Sequence, residues 1–378
     1  MVFSNFLKKW FYDIDHFTLN FSIFLISIGF LFSLTISPAM TARIGIENSY
    51  HFSIHHLFFC IVGIFLMLFC SMLSKDAILS FSFFGYFCCL CFLFLVLFIG
   101  GSTKGSHRWI NLGFFALQPS EIMKPFFIVC NAYFLTNIKN KSLGILISLA
   151  NIGFLSLLFI LQPDFGTTAL YILISSLQLL FCGLRLKILF SGVAIFGILL
   201  SILGFFFFPH FHYRIVNFFH FAEKTEHYQT KKALESINNG GLFGKSLGEG
   251  EVKYQLPDAH TDYIFSVLCE ELGVLFACLL LIMIAIFAYR HVISNVYNGK
   301  DNLYEFIAIF GFVSIFAVQT FIHVGVNLNI LPSKGMTFPF LSYGGSSMMS
   351  SSIIFGFLLA FTRKSYRFKS PYRFFENV

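Results

Sequence analysis

Charge is what this chain has least of. Only 11% of its 378 residues are Asp, Glu, Lys or Arg, against 57% apolar residues and a mean hydropathy of +0.79. A soluble domain carries roughly 25% charged residues, so this composition excludes a soluble globular protein and requires several membrane spans. Also lacking is any basic stripe interleaved with aromatics in a polar domain, which sets nucleic acid aside as a partner. The nine cysteines all lie in apolar stretches and none forms a zinc-site pair, so they read as small buried hydrophobes. No HExxH occurs, and the spacing of His51, His55 and His56, with His210 and His212, does not make a zinc site. No internal repeat is visible, which weakens an inverted-repeat transporter reading. Gly244-Lys245-Ser246 imitates the end of a P-loop, but Asn239 stands where the pattern needs glycine.

What the chain does have is apolar runs. At about 20 residues per span, ten candidates fall near 17–39, 54–73, 77–99, 119–137, 143–162, 165–183, 187–208, 262–289, 303–327 and 345–362. All are expected to be helices, because lipid cannot satisfy open backbone groups. The expected fold is therefore an all-α integral membrane protein: a single polytopic domain over 1–378 with one long extracytoplasmic loop, 209–261. Lys8-Lys9 ahead of the first run resembles a signal peptide, but the run is too long and reads as a retained span. With the N-terminus inside, the inner joins hold fourteen Lys and Arg, the short outer joins five and the long loop six. The positive-inside rule then places both termini in the cytoplasm. The 56 phenylalanines are read as a consequence of genome base composition.

Polar residues gather at the outer ends of the runs. Asp262 heads the run that continues through Glu270 and Glu271, and a mid-bilayer carboxylate costs roughly 2.5–3.5 kcal/mol on insertion scales. It is a functional candidate, or else a helix cap. Glu121 and Lys124, three apart, share a helix face. They form either a structural ion pair or a lysine that tunes a carboxylate or holds a phosphate. Asp164 in Gln162-Pro163-Asp164-Phe165-Gly166 is placed to cap the helix that follows. From Asn329 to Ser347, two prolines and many small residues predict broken backbone at membrane depth, tolerated only inside protein or along a cavity. Lys334 there is an anion contact or a lysine snorkelling to the interface. The segment Gly240-Gly241-Leu242-Phe243-Gly244 predicts partial order within the long loop.

These blocks together resemble the SEDS family of bacterial cell-shape and division proteins, the FtsW/RodA/SpoVE group. They are His107-Arg108-Trp109 with Gln118-Pro119-Ser120-Glu121; Gln162 through Gly166; Gly240 through Asp262, including His260; and Pro332 through Ser347, including Ser346. The run Pro332-Ser333-Lys334-Gly335 is more similar to the division branch, FtsW, than to the elongation branch. Asp258, where Glu is expected, and Glu249, where Asn is more usual, depart from the pattern. The resemblance implies a peptidoglycan glycosyltransferase of the bacterial inner membrane that polymerises lipid II, with Asp262 as the catalytic residue. It implies substrate-binding positions at Lys124, Lys334, Arg108, Glu121, His260 and Ser346. Its implied partners are lipid II, a class B penicillin-binding protein, division-ring proteins and membrane lipids.

The chemistry fits an acid at headgroup height. The donor already carries a good diphosphate leaving group, so the missing element is a base for the attacking hydroxyl, worth typically about 10²–10⁴-fold. An α-linked donor giving a β-linked chain needs one inverting displacement, with Asp262 as general base. Lys124 would pair with Asp262 or with the diphosphate, and Lys334 or Arg108 would offset leaving-group charge. A divalent cation, Mg or Mn, can bridge a diphosphate, and the sequence does not require one. On one continuous helix Glu271 lies opposite Asp262, and Glu270 sits about 12 Å deeper. Glu270 and Glu271 are therefore expected to serve structure or activation. The rival readings are a lipid II flippase and a non-catalytic division scaffold.

Overall fold

In the computed structural model, residues 2–99, 101–103, 106–111, 113, 115–187, 191–192, 197, 225–298, 302–332 and 335–363 are described. Apolar runs bounded by caps become helices. The first four are α1 (Val2–Asp13), α2 (His16–Ile44), α3 (His51–Met72) and α4 (Lys75–Ile99). A small antiparallel sheet, β1 (Gly101–Thr103), β2 (Ser106–Asn111) and β3 (Ala116–Leu117), leads into α5 (Pro119–Thr136). α6 (Lys141–Leu161), α7 (Phe165–Phe181) and α8 (Thr225–Gly240) follow, then a single 3₁₀ turn, Val252–Tyr254. The last described elements are α9 (Ile264–Asn298), α10 (Leu303–Asn327) and α11 (Gly345–Thr362).

Nine of the ten expected spans are helices. The tenth, 187–208, lies mostly outside the described residues. Among the described residues, seven helices (α2, α3, α4, α6, α9, α10, α11) are long and apolar enough to cross a membrane. α7 is apolar but 17 residues long, and α5 carries Ser120, Glu121, Lys124 and Asn131. α5 packs on α4, α6, α7, α10 and α11, which lets it hold those polar groups inside protein rather than against lipid. The spans are helical as expected, and the sheet lies in a join: the segment before α5 pairs with itself, Ile110 opposite Leu117, and so satisfies its own backbone.

Small residues set the closest helix contacts. A Cβ at Gly63 would stand 2.6 Å from Ser352 Oγ, and one at Gly356 would stand 2.7 Å from the Met67 carbonyl, so α3 and α11 meet almost backbone to backbone. Side-chain amides tie the middle of the bundle. Asn131 Nδ2 donates to Gln178 Oε1 at 2.8 Å, Ser148 Oγ donates to Asn131 Oδ1 at 2.6 Å, and Gln178 Nε2 donates to the Ile128 carbonyl at 3.1 Å. At the end of the bundle rich in basic residues, Arg290 donates to Asp15 at 2.8 Å, Lys75 pairs with Glu305, and Arg363 meets the Met72 and Leu73 carbonyls at the end of α3.

Candidate functional site

The opposite end carries the polar blocks. Asp262 does not begin a helix, as the sequence led one to expect. It lies in a turn, and α9 starts two residues later at Ile264. The turn is held at both ends. Asp262 N–H donates to the Asp258 carbonyl at 3.0 Å, and the Asp262 carbonyl accepts from Asn327 Nδ2 at 3.0 Å. Asp262 is half-buried, and its Oδ2 lies 3.5 Å from where a Cβ on Gly335 would be, so the carboxylate faces the loop between α10 and α11.

That loop re-enters the bundle, in agreement with the broken backbone expected there. Phe338, Phe340, Leu341 and Ser342 are buried, and a Cβ on Gly29, halfway along α2, would sit 2.2 Å from the Phe340 carbonyl. The loop is tied to the Asp262 turn by its backbone. Tyr343 N–H donates to the His260 carbonyl at 2.8 Å, and Ser342 Oγ donates to the Thr261 carbonyl at 2.6 Å while accepting from Phe338 N–H. His260 packs against Phe52 and Tyr343, with ring centroids 5.2 and 5.3 Å away. Lys334 and Ser333 lie outside the described residues.

Lys124 is buried at 2% exposure. Its ammonium donates to Glu121 Oε1 at 2.6 Å and to Gln319 Oε1 at 3.0 Å. Gln319 in turn donates to the Thr337 carbonyl at 2.9 Å, and Thr337 Oγ1 bonds Ser347 Oγ at 2.7 Å. The Glu121–Lys124 ion pair is thus present, and it reaches the re-entrant loop through Gln319. Ser346 accepts from Gln118 N–H at 2.9 Å and is buried, joining the start of α5 to α11. Arg108 spans the α6–α7 join: Nε donates to the Gln162 carbonyl at 3.2 Å, another nitrogen donates to the Pro163 carbonyl, and Nη1 is 3.5 Å from Asp164 Oδ1. Asp164 caps α7 as expected, accepting from Thr167 N–H at 3.3 Å.

Glu270 and Glu271, expected to serve structure or activation, are both held in buried bonds. The projection from Asp262 put that residue on the same helix, whereas α9 starts at Ile264 and so does not include it; α9 itself breaks further on, at Gly273 (φ 83°, ψ 162°). Both glutamates precede the break, buried against the loop that follows α8. Glu270 accepts from Glu251 N–H at 3.0 Å, Val252 N–H at 3.2 Å and Ser236 Oγ at 3.0 Å. Glu271 pairs with the buried Lys253 at 2.6 Å. The broken helix exchanges backbone bonds with the loop. Lys245 and Ser246 N–H donate to the Glu270 and Glu271 carbonyls, and Val274 and Leu275 N–H donate to the Gly241 and Leu242 carbonyls. The glycines permit this approach: a Cβ at Gly240 would stand 2.0 Å from the Cys269 carbonyl, and one at Gly244 2.3 Å from that of Glu271. The part of the long loop that is described, 225–261, is therefore ordered into a helix, a 3₁₀ turn and a backbone clasp.

Sequence reasoning missed Gln319, His323 and Asn327. They recur every fourth residue on one face of α10. His323 Nδ1 meets the Met336 carbonyl at 2.7 Å, so all three residues hold site elements. The signal was available as three polar residues at helical spacing in an otherwise apolar run.

A polytopic membrane protein that locks an acidic turn to a re-entrant loop at one end of its bundle is the class this fold and site define. Residues 16–367 match the model of the FtsW/RodA/SpoVE cell cycle protein family, and the chain belongs to that family. It is 36% identical over 364 residues to a Caulobacter vibrioides protein named probable peptidoglycan glycosyltransferase FtsW, covering 95% of this chain and 91% of that protein. Stage V sporulation protein E of Bacillus subtilis is 30% identical, covering 91% and 95%. Thermus thermophilus rod shape determining protein RodA shares the fold with a TM-score of 0.66 at 22% identity, over 94% of this chain and 98% of that one. So does a chain whose structure concerns coordination of polymerization and crosslinking by a peptidoglycan synthase complex (TM-score 0.72, 20% identity, 94% and 99%).

Proposed function

We propose that the protein is a peptidoglycan glycosyltransferase that polymerises lipid II during cell division, with Asp262 as general base in one inverting displacement. The observation that carries this is the placement of Asp262: half-buried, in a turn anchored at both ends, and facing the re-entrant loop. A base must be held within hydrogen-bond reach of the hydroxyl it serves. The anchored turn supplies that, with Gly335 opposite the carboxylate. Asp262 takes the proton of the acceptor sugar hydroxyl as that oxygen attacks the donor anomeric carbon, and the lipid diphosphate departs. Lys334 offsets the leaving-group charge. Lys124 acts through Gln319 and Thr337 on the loop carrying Lys334, because its ammonium is buried in bonds to Glu121 and Gln319. Arg108 holds the α6–α7 join beside the site.

The proposal places the protein in the inner membrane with both termini in the cytoplasm and the Asp262 end outside. A class B penicillin-binding protein and division-ring proteins are its partners. Among the described residues no group of three or more His, Cys, Asp or Glu side chains is placed to hold a metal ion. Mg or Mn would come as a companion of the diphosphate.

The test is polymerisation of purified lipid II by the protein reconstituted in vesicles, with and without the transpeptidase partner. Asp262→Asn should lose glycan chains by about 10²-fold or more. Parental chain formation by Asp262→Asn would overturn the assignment, and lipid II flipping without chain formation by the parent would favour the flippase.

A further inference from the structure

The geometry points to Asn327 as a positioning residue that sets the place of Asp262, an inference resting on the reading of Asp262 as the base. Asn327, at the last turn of α10, is fully buried and uses both ends of its amide. Its Nδ2 donates to the Asp262 carbonyl at 3.0 Å and to the His323 carbonyl at 2.8 Å. Its Oδ1 accepts from Ser266 N–H at 3.1 Å and Ser266 Oγ at 2.7 Å. The first turn of a helix presents N–H groups that ordinarily find a capping side chain just before it. In α9 a side-chain acceptor for the first turn comes from α10: Ser266 N–H reaches Asn327 as well as the Tyr263 carbonyl at 3.1 Å. The Asp262 carboxylate, in the turn just before, faces Gly335. One amide therefore fixes two things: the start of α9, and the peptide that carries the Asp262 side chain.

The neighbouring turns of α10 fix the other side. Four residues back, His323 holds the Met336 carbonyl, and four further back, Gln319 holds Thr337 and Lys124. Gly335, which faces the carboxylate, is adjacent to Met336. A single rigid helix face thus sets both the acid and the loop opposite it. Displacing a reacting group by 1 Å can cost about 10²-fold in rate, so Asn327 affects the rate without touching substrate.

The experiment uses the full-length protein in vesicles with purified lipid II, each rate normalised to the folded, monodisperse fraction. Asn327→Asp keeps the shape and the acceptor for Ser266 and removes the Nδ2 donations. Asn327→Ala removes both. Each should lower kcat by about ten- to a hundredfold with KM within about twofold of the parent. In an Asp262→Glu background, where the carboxylate is already displaced, Asn327→Asp should cost less than about threefold, because coupled residues are non-additive. Parental kcat per folded molecule in both Asn327 variants would overturn the inference, as would an equal loss in the parent and Asp262→Glu backgrounds, which marks a merely structural role. Asp262→Asn separates the two readings: if it polymerises at the parental rate the general base is lost, whereas if it is inactive while the Asn327 variants run normally, only the positioning role is lost.

Discussion

Lys124 shows what a single buried charge decides. Its ammonium is satisfied by Glu121 and Gln319, and removing one partner of a buried pair leaves an uncompensated charge costing roughly 3–5 kcal/mol. Lys124→Met is therefore expected to lower the thermal midpoint in detergent, and Glu121→Gln added to it should recover much of the loss. A midpoint unchanged by Lys124→Met would show that the pair does not hold the bundle. The same logic applies to Lys253 and Glu271, both almost wholly buried and 2.6 Å apart: Lys253→Met should destabilise the clasp, and Glu271→Gln should partly restore it. The sequence showed the first pair because its members are three apart on one helix. It could not show the second, whose members are eighteen apart and meet only when the loop folds back on α9.

Among elements, the clasp and the re-entrant loop depend on atoms that are missing. A methyl on Gly240 would overlap the Cys269 carbonyl, and one on Gly244 would meet Glu271 at a φ of +81° that disfavours other residues. Each substitution to Ala should cost about 1–3 kcal/mol and open the 241–250 segment to proteolysis in intact vesicles. Equal cleavage of parent and variant would refute the clasp. Gly29→Leu should act at a distance: it displaces Phe340 and with it the loop facing Asp262, so chain formation falls although no polar residue has changed. The glycine-rich run promised order in the long loop, but its partner, the break at Gly273, was hidden inside what reads as one apolar helix.

Over the whole molecule, the imbalance of basic residues predicts an orientation. Basic joins gather at one end and the acid site stands at the other. Single cysteines placed in a background lacking reactive thiols should report this. One at Tyr254 in the long loop should label with an impermeant reagent from outside, and one at Lys139 only after permeabilisation. The reverse pattern would put the site on the cytosolic face and exclude a reaction with externally displayed lipid-borne sugars.

Apolar run length and the imbalance of basic residues are local quantities. The chain by itself therefore determined a helical membrane bundle and the blocks that carry polar chemistry. Which polar residue meets which was decided only by tertiary structure. Hydrogen bonds between α10 and the Asp262 turn join residues 65 apart, and the approach of loop to helix depends on carbonyls that no side-chain pattern records. Which side of the bundle the Asp262 carboxylate faces is likewise a property of packing.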